Sequence, residues 1–345
     1  MTAHALPDSG PEEPLAATCP SCGEPAAAED RFCEACGADL PTADLPTADL
    51  PTEGGCPCGG SWVHGYCDTC GDRQPDGRDD LLIDLGPVGA AASHVGHQHH
   101  RNEDAAAIGP LPTGGAAAVV CDGVSSTVDP HVVSQAAADA AYAQLTSDPS
   151  DLAAAHRAAA AAAAAVEFVP HPELGPPSAT FLAATVTGGH VTVGGLGDCR
   201  AYWLPDSGGA VLVTQDHSWG TEQIQAGHLS EAQAFADPRT HSITRWMGRD
   251  AEPDWTPDVT SFDAAGPGLV LLCSDGLWNY VSKPQLLADL AGPDRSPAAV
   301  ATRLVRFALD AGGHDNITVV ALAVPAGRLA TTETTPPPRT AQESP

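Results

Sequence analysis

The chain has 345 residues and a formal net charge of −29, with 43% hydrophobic residues but only 5% aromatic ones. So acidic a balance argues against electrostatic binding to nucleic acid or to an anionic membrane, and it favours cationic partners. No strongly apolar run reaches the length of a membrane span, and the N-terminus lacks the basic and apolar regions of a secretory signal, so a cytoplasmic protein is expected.

Residues 1–18 are acidic, polar and proline-containing, a composition that reads as disordered. Residues 19–72 hold eight of the eleven cysteines in two groups: Cys19, Cys22, Cys33 and Cys36, then Cys56, Cys58, Cys67 and Cys70. Each group supplies two close pairs of thiolates, which suits a tetrahedral Zn²⁺. Gly23, Gly37, Gly59 and Gly71 follow the second cysteine of each pair, where a tight turn points backbone N–H groups at sulfur. A double zinc ribbon with two structural Zn²⁺ is expected, with disulfides and thiol redox chemistry as the rival uses. Between the groups, residues 40–52 place proline at every fifth position, which forbids a continuous helix and reads as an extended linker. Residues 1–80 carry three arginines against sixteen acids. The ribbons are therefore read as a docking or regulatory surface for a protein partner, not for nucleic acid.

Residues 73–80 read as a second linker. Beyond them, 116–121 is a small apolar strand ending at Asp122. Residues 135–147 and 152–168 read as helices on the strength of alanine; Asp148 or Asp151 can cap the second, and Pro170 ends it. A hairpin is expected from 180–187 and 190–194 around Gly188-Gly189, and another from 201–204 and 210–214. Residues 269–273 form a buried strand, 284–290 and 297–311 helices, and 317–324 a closing strand. The tail from 326 is again of disordered character. Antiparallel hairpins with paired helices between them indicate an α+β fold and not a doubly wound sheet.

Five short segments carry acids: Asn102-Glu103-Asp104-Ala105, Val120-Cys121-Asp122-Gly123, Gly197-Asp198-Cys199-Arg200, Cys273-Ser274-Asp275-Gly276 and His314-Asp315-Asn316-Ile317-Thr318. Three of them put an aspartate where an apolar run gives way to a loop. Carboxylates held at the rim of a sheet make a hard-oxygen site for Mg²⁺ or Mn²⁺. Two such ions can activate a water and clamp a phosphoryl group.

The five segments, in this order, resemble the metal-dependent serine/threonine protein phosphatases, the PPM or type 2C family. The resemblance extends over 81–324, with further pieces at Pro177-Ser178-Ala179-Thr180, Thr214-Gln215-Asp216-His217-Ser218 and Ile243-Thr244-Arg245-Trp246-Met247-Gly248. It implies a phosphatase domain at 81–325 made of two packed antiparallel sheets flanked by helix pairs, an α-β-β-α sandwich with metals at one end. It also implies phosphoserine and phosphothreonine proteins as substrates, products of a cognate serine/threonine kinase. On this resemblance Asp122 bridges two Mn²⁺ or Mg²⁺ ions, Glu103 and the Gly123 carbonyl complete one, and Asp275 and Asp315 hold the other. Asp104 orients the bridging water, Asp198 with Asp275 holds a third, weaker metal, and Asn316 steadies the Asp315 loop.

Two departures stand out. The family's phosphate-binding arginine position is occupied by His99, leaving Arg101 as a substitute, and an imidazole lacks arginine's planar fork. Ser125-Ser126 replaces a glycine pair, and Val124 follows Gly123 where some members place a histidine general acid, so that acid is not identified. These departures support a second reading, a weakly active or inactive phosphoprotein-binding scaffold. His94, His97, His99 and His100 read as loop histidines and not as a metal cluster. Asp216-His217-Ser218 reads as a turn, because members of a hydrolytic triad converge in space and not in sequence. Cys121, Cys199 and Cys273 read as packing residues, and Arg200 as part of a local ion pair.

Overall fold

The computed structural model describes residues 17–18, 25–26, 56, 58–63, 65–71 and 73–325. The chain divides into two compact units between Pro75 and Asp76. Cys19, Cys22, Cys33 and Cys36, the 40–52 linker and the tail from 326 lie outside the described residues.

In the first unit, β1 (Ala17–Thr18) pairs antiparallel with β2 (Pro25–Ala26). A second small hairpin joins β3 (Trp62–Val63) to β4 (Tyr66–Cys67), with Trp62 opposite Cys67.

The second unit begins with β5 (Asp80–Asp84), β6 (Gly89–His94), β7 (Ala105–Pro110) and β8 (Ala116–Cys121). The helix pair α1 (Pro130–Ser147) and α2 (Leu152–Ala165) follows. Next come β9 (Ser178–Ala179), β10 (Phe181–Thr187), β11 (His190–Leu196), β12 (Arg200–Pro205) and β13 (Val211–Leu212). Two short helices, α3 (Trp219–Gln225) and α4 (Glu231–Phe235), precede β14 (Met247–Gly248), β15 (Asp258–Asp263) and β16 (Gly268–Cys273). The unit closes with α5 (Asp275–Trp278), α6 (Pro284–Ala291), α7 (Pro297–Asp310) and β17 (Ile317–Val324).

Its core is two antiparallel sheets, one of five strands in the order β15-β11-β10-β8-β7 and one of six in the order β13-β12-β16-β17-β6-β5. The period-two alternation of a strand decides what each sheet covers. On β8, Ala117, Val119 and Cys121 face α1 and α2, packing with Val133, Ala137, Ala141 and Leu145. Ala116, Ala118 and Val120 face the other sheet and meet Leu182, Val270, Leu272 and Val320. On the far side, Leu271, Val319 and Ala321 pack against Leu277, Leu287, Val300 and Leu304 of α5, α6 and α7. The result is the α+β fold expected from the sequence, four layers with helices outside and two sheets within.

Local chemistry accounts for several element ends. Asp151 caps α2, its Oδ1 accepting from the Ala154 N–H at 2.7 Å. The β10–β11 hairpin turns on Gly188 and Gly189, both with positive φ, as a two-residue loop of this hand requires. The structure extends the first helix back to Pro130, five residues before the expected start at 135; proline at the first helical position brings a ready-made φ and loses no needed N–H. The second helix ends at Ala165, three residues short of 168. Strands β5, β6, β7 and β15 and helices α3 and α4 were not expected from the sequence. In the 73–80 stretch, read as a linker, Arg78 belongs to the second unit: its guanidinium donates to the carbonyls of His131 and Asp104 at 2.9 and 2.8 Å.

Candidate active site

Both sheets deliver acids to one end of the sandwich. Asp122 follows β8, Asp198 follows β11, Asp275 opens α5 after β16, and Asp315 precedes β17. These four carboxylates and Gly123 line a single cavity of about 640 Å³. Glu103 and Asp104 lie just before β7 and do not line it, but both are tied to residues that do or that adjoin them. Ser125, on the cavity wall, donates to Glu103 Oε2 at 2.5 Å. Ser274, next to Asp275, donates to Asp104 Oδ2 at 2.6 Å.

The backbone around these acids is fixed by side chains. Asn316 Oδ1 accepts from the Glu103 N–H at 2.7 Å, while its amide donates to the carbonyls of Val95 and Arg101 at 2.8 and 3.0 Å. One asparagine thus joins the Asp315 loop to the Glu103 loop. The Asp122 N–H donates to Thr180 Oγ1 at 2.9 Å, and the Thr180 N–H returns to the Asp122 carbonyl at 2.8 Å. Gly276 has no room for a side chain, since a Cβ there would run into the backbone carbonyl of Asn316. Gly123 is equally confined, between the carbonyls of Pro130 and Glu103.

Burial and crowding raise the acidities' cost. Desolvation, then the neighbouring Asp104, Asp275, Asp198 and Asp315, holds Asp122 well above the ordinary carboxylate range. Asp275 is raised by burial and then by Asp198, Asp315 and Asp104. Burial, then Asp216, lifts Asp198 to about 7, and burial lifts Asp104 to about 6 against the Ser274 hydrogen bond. Asp104 Oδ1 is buried without a hydrogen-bond partner. Carboxylates that raise one another and leave a buried oxygen unpaired are the donor set of a hard divalent cation. Mg²⁺ or Mn²⁺ fits these residues.

The two residues expected to contact phosphate do not line the cavity. His99 Nε2 lies 3.3 Å from Asp315 Oδ1. Arg101 is directed to His131, Nη1 to Nε2 at 3.2 Å, so the imidazole accepts and is neutral. Arg200 forms a bidentate pair with Asp216, the shortest contact 2.6 Å, and its guanidinium lies 3.7 Å from the Trp278 ring centroid. Burial pushes the thiols of Cys121, Cys199 and Cys273 up, away from thiolate chemistry. Sequence reasoning missed Ser125, Ser274 and Trp278. Ser125 stands where a glycine pair is expected and Ser274 lies beside the aspartate of an acidic motif, so neither serine carries a signal of its own in the sequence.

In the first unit the sulfurs of Cys56, Cys58, Cys67 and Cys70 all lie within 4.8 Å of one another, the only group of three or more metal-binding side chains so close among the described residues. Hydrogen bonding from the Cys70 backbone, with that of Thr69, lowers Cys67 to about 6. Four converging thiols, one held toward the thiolate, fit tetrahedral Zn²⁺. Among the described residues no three carboxylates bring oxygens within 4.8 Å of one another.

This fold and acid constellation define a class. The chain belongs to the protein phosphatase 2C family, whose model matches residues 91–305. A zinc-ribbon domain model matches residues 18–40, which contain the first cysteine group. The serine/threonine protein phosphatase PstP of Mycobacterium tuberculosis is 32% identical over 239 residues, 67% of this chain and 44% of that protein. The serine/threonine phosphatase stp of Listeria welshimeri is 32% identical over 141 residues, 41% of this chain and 54% of that protein. The chain thus spans about half the length of these relatives. The crystal structure of the PstP catalytic domain in complex with two manganese ions is similar, with a TM-score of 0.56 and 31% identity, covering 68% of this chain and 97% of that one. No helix among the described residues is long and apolar enough to cross a membrane.

Proposed function

We propose that the protein hydrolyses phosphoserine and phosphothreonine in proteins, using a divalent-metal centre of Mn²⁺ or Mg²⁺ in the carboxylate cavity. The observation that carries this reading is the convergence of Asp122, Asp198, Asp275 and Asp315 on one cavity in a member of the type 2C family. Asp122, the Gly123 carbonyl and Glu103 would hold one ion, Asp275 and Asp315 a second, and Asp198 with Asp275 a third. Ions bound there supply an activated water and neutralise charge on the phosphoryl group.

The chain's own groups do the remaining work. Ser125 fixes the direction of the Glu103 carboxylate. Asp104, anchored through Oδ2 and without a hydrogen-bond partner at Oδ1, is assigned to orient a water at the centre. His99 and Arg101 are assigned to the substrate phosphate, Arg101 by turning from His131 into the cavity. The zinc ribbons serve as a docking or regulatory module for a protein partner. Thiolate zinc sites suit a reducing compartment, and we read that compartment as the cytoplasm. A cognate serine/threonine kinase supplies the substrates.

The test is phosphate release from a phosphothreonine peptide by the full chain. Activity lost with EDTA, restored by Mn²⁺ and absent in Asp275→Asn supports the reading; turnover indifferent to EDTA sinks it. One observation favours a phosphoprotein-binding scaffold instead: among the described residues no arginine lines the carboxylate cavity, and Arg101 is held by His131. Phosphopeptide binding with no release of phosphate in Mn²⁺ would select that alternative.

A further inference from the structure

Hydrolysis of a serine or threonine phosphate expels an alkoxide, a poor leaving group that needs a proton as the P–O bond breaks. Val124 supplies none. Resting on the phosphatase reading, we infer that His241 is the general acid, delivering that proton from the segment after α4. His241 lines the same cavity as Asp122, Asp198, Asp275 and Asp315. Among the described residues the other polar side chains on that wall are carboxylates, hydroxyls and the Trp246 indole, so His241 is their one nitrogen acid able to exchange a proton near neutral pH. Neither of its ring nitrogens is engaged by another described residue; its recorded neighbour is the Trp278 ring, 5.5 Å away between centroids.

Its placement is built, not incidental. The segment around His241 is stitched to the start of α3: Trp219 N–H donates to the Ser242 carbonyl at 2.8 Å and Gly220 N–H to the Thr240 carbonyl at 3.2 Å. Two residues before Trp219, His217 grips Gly197 twice. Its N–H donates to the Gly197 carbonyl at 2.8 Å, and its Nδ1 accepts from the Gly197 N–H at 3.2 Å. Thr244 N–H completes the chain by donating to the His217 carbonyl at 2.9 Å. The segment carrying His241 is therefore bound to the segment that clasps Gly197, the residue before Asp198. Trp278 ties the two again, its ring lying at a 44° tilt to that of His241 and its indole N–H donating to the Asp198 carbonyl.

In the step, the P–O bond to the serine or threonine oxygen breaks and its electron pair stays on that oxygen. The oxygen takes the proton from the imidazolium of His241. Water forms the new P–O bond and gives up one proton, which reloads the imidazole, so one water is consumed and no net proton. Burial, then the nearby Arg200, lowers the pKa of His241 below that of an ordinary imidazole, while Asp216 opposes them. An incoming phosphate dianion raises it again, so the substrate promotes protonation of its own acid.

The test is His241→Gln in the full chain with Mn²⁺, assayed on two esters. The expected result is a fall of about a hundredfold or more in kcat/KM on a phosphothreonine peptide, with little change on p-nitrophenyl phosphate, whose leaving group needs no proton. An equal loss on both esters would overturn the proposal, since it marks a structural role through Trp278 and Asp198. Undiminished peptide turnover would overturn it as well. Wild type inactive on both esters defeats the phosphatase reading itself, a result distinct from either.

Discussion

Trp278 donates its indole N–H to the backbone carbonyl of Asp198 at 2.8 Å, across 80 residues of sequence. The indole is buried at 4% exposure, and Arg200 covers one ring face while bound to Asp216. A core residue of α5 thus sets the position of an acid delivered by the opposite sheet. Trp278→Phe keeps an aromatic ring but removes the donor. We expect a stability loss of about 1–3 kcal/mol from the unpaired carbonyl and the lost volume. The Mn²⁺ concentration giving half-maximal activity should rise, because Asp198 is no longer fixed. A metal titration of activity that superimposes on wild type would show that Asp198 needs no such support.

Gly276→Ala tests how tightly the Asp275 and Asn316 backbones are packed. The new methyl meets the Asn316 carbonyl, and Asn316 also holds the Glu103 N–H. Overpacking against backbone costs about 1–3 kcal/mol. The melting temperature should fall and metal-dependent turnover should be lost together, since the shift propagates to both Asp315 and Glu103. A variant with wild-type melting and turnover would mean that this contact relaxes freely.

His156 provides a pH signature away from the acids. It is buried on α2 against Phe181, with ring centroids 5.2 Å apart and Nε2 unpaired. Burial, with Arg157, lowers it to about 4 from its ordinary 6.5. The folded state therefore prefers the neutral ring, and the unfolded state takes up the proton first as pH falls. Its contribution is complete above pH 6.5 and is lost as pH drops toward 4, at up to about 1.4 kcal/mol per pH unit. His156→Leu should flatten the fall in melting temperature between pH 6.5 and 4.5 relative to wild type. Parallel curves would contradict a buried neutral imidazole.

The cysteine groups predict metal content. The full chain should carry two zinc ions by elemental analysis, and Cys67→Ser should carry one, because one closed site then lacks its fourth ligand. Retention of both ions in Cys67→Ser would break the assignment of Cys56, Cys58, Cys67 and Cys70 to a single site.

Sequence reading succeeded where a strand announces its own end. The apolar runs before Asp122 and Asp275 stop at an acid, and the structure places both acids at strand ends facing one cavity. It failed where pairing overrides local preference. Gly89–His94 and Ala105–Pro110 are alanine-rich, and alanine favours helix unless a sheet claims it. Asp258–Asp263 is a largely exposed edge strand with acids at both ends and no apolar run to mark it. The supports of the site were hidden for another reason. Ser274 to Asp104 spans 170 residues and Trp278 to Asp198 spans 80, separations that leave no local periodicity.

Alanines recur where the two sheets meet: Ala91, Ala116, Ala118, Ala184 and Ala201 are all essentially inaccessible to solvent. Each such side chain removes little apolar area from water. Unfolding this unit should therefore raise the heat capacity by less than the roughly 12–15 cal/mol/K per residue usual for globular proteins. A smaller heat-capacity change broadens the dome of stability against temperature, so the same small side chains that let the sheets approach also make the fold's stability less sensitive to warming and to cold.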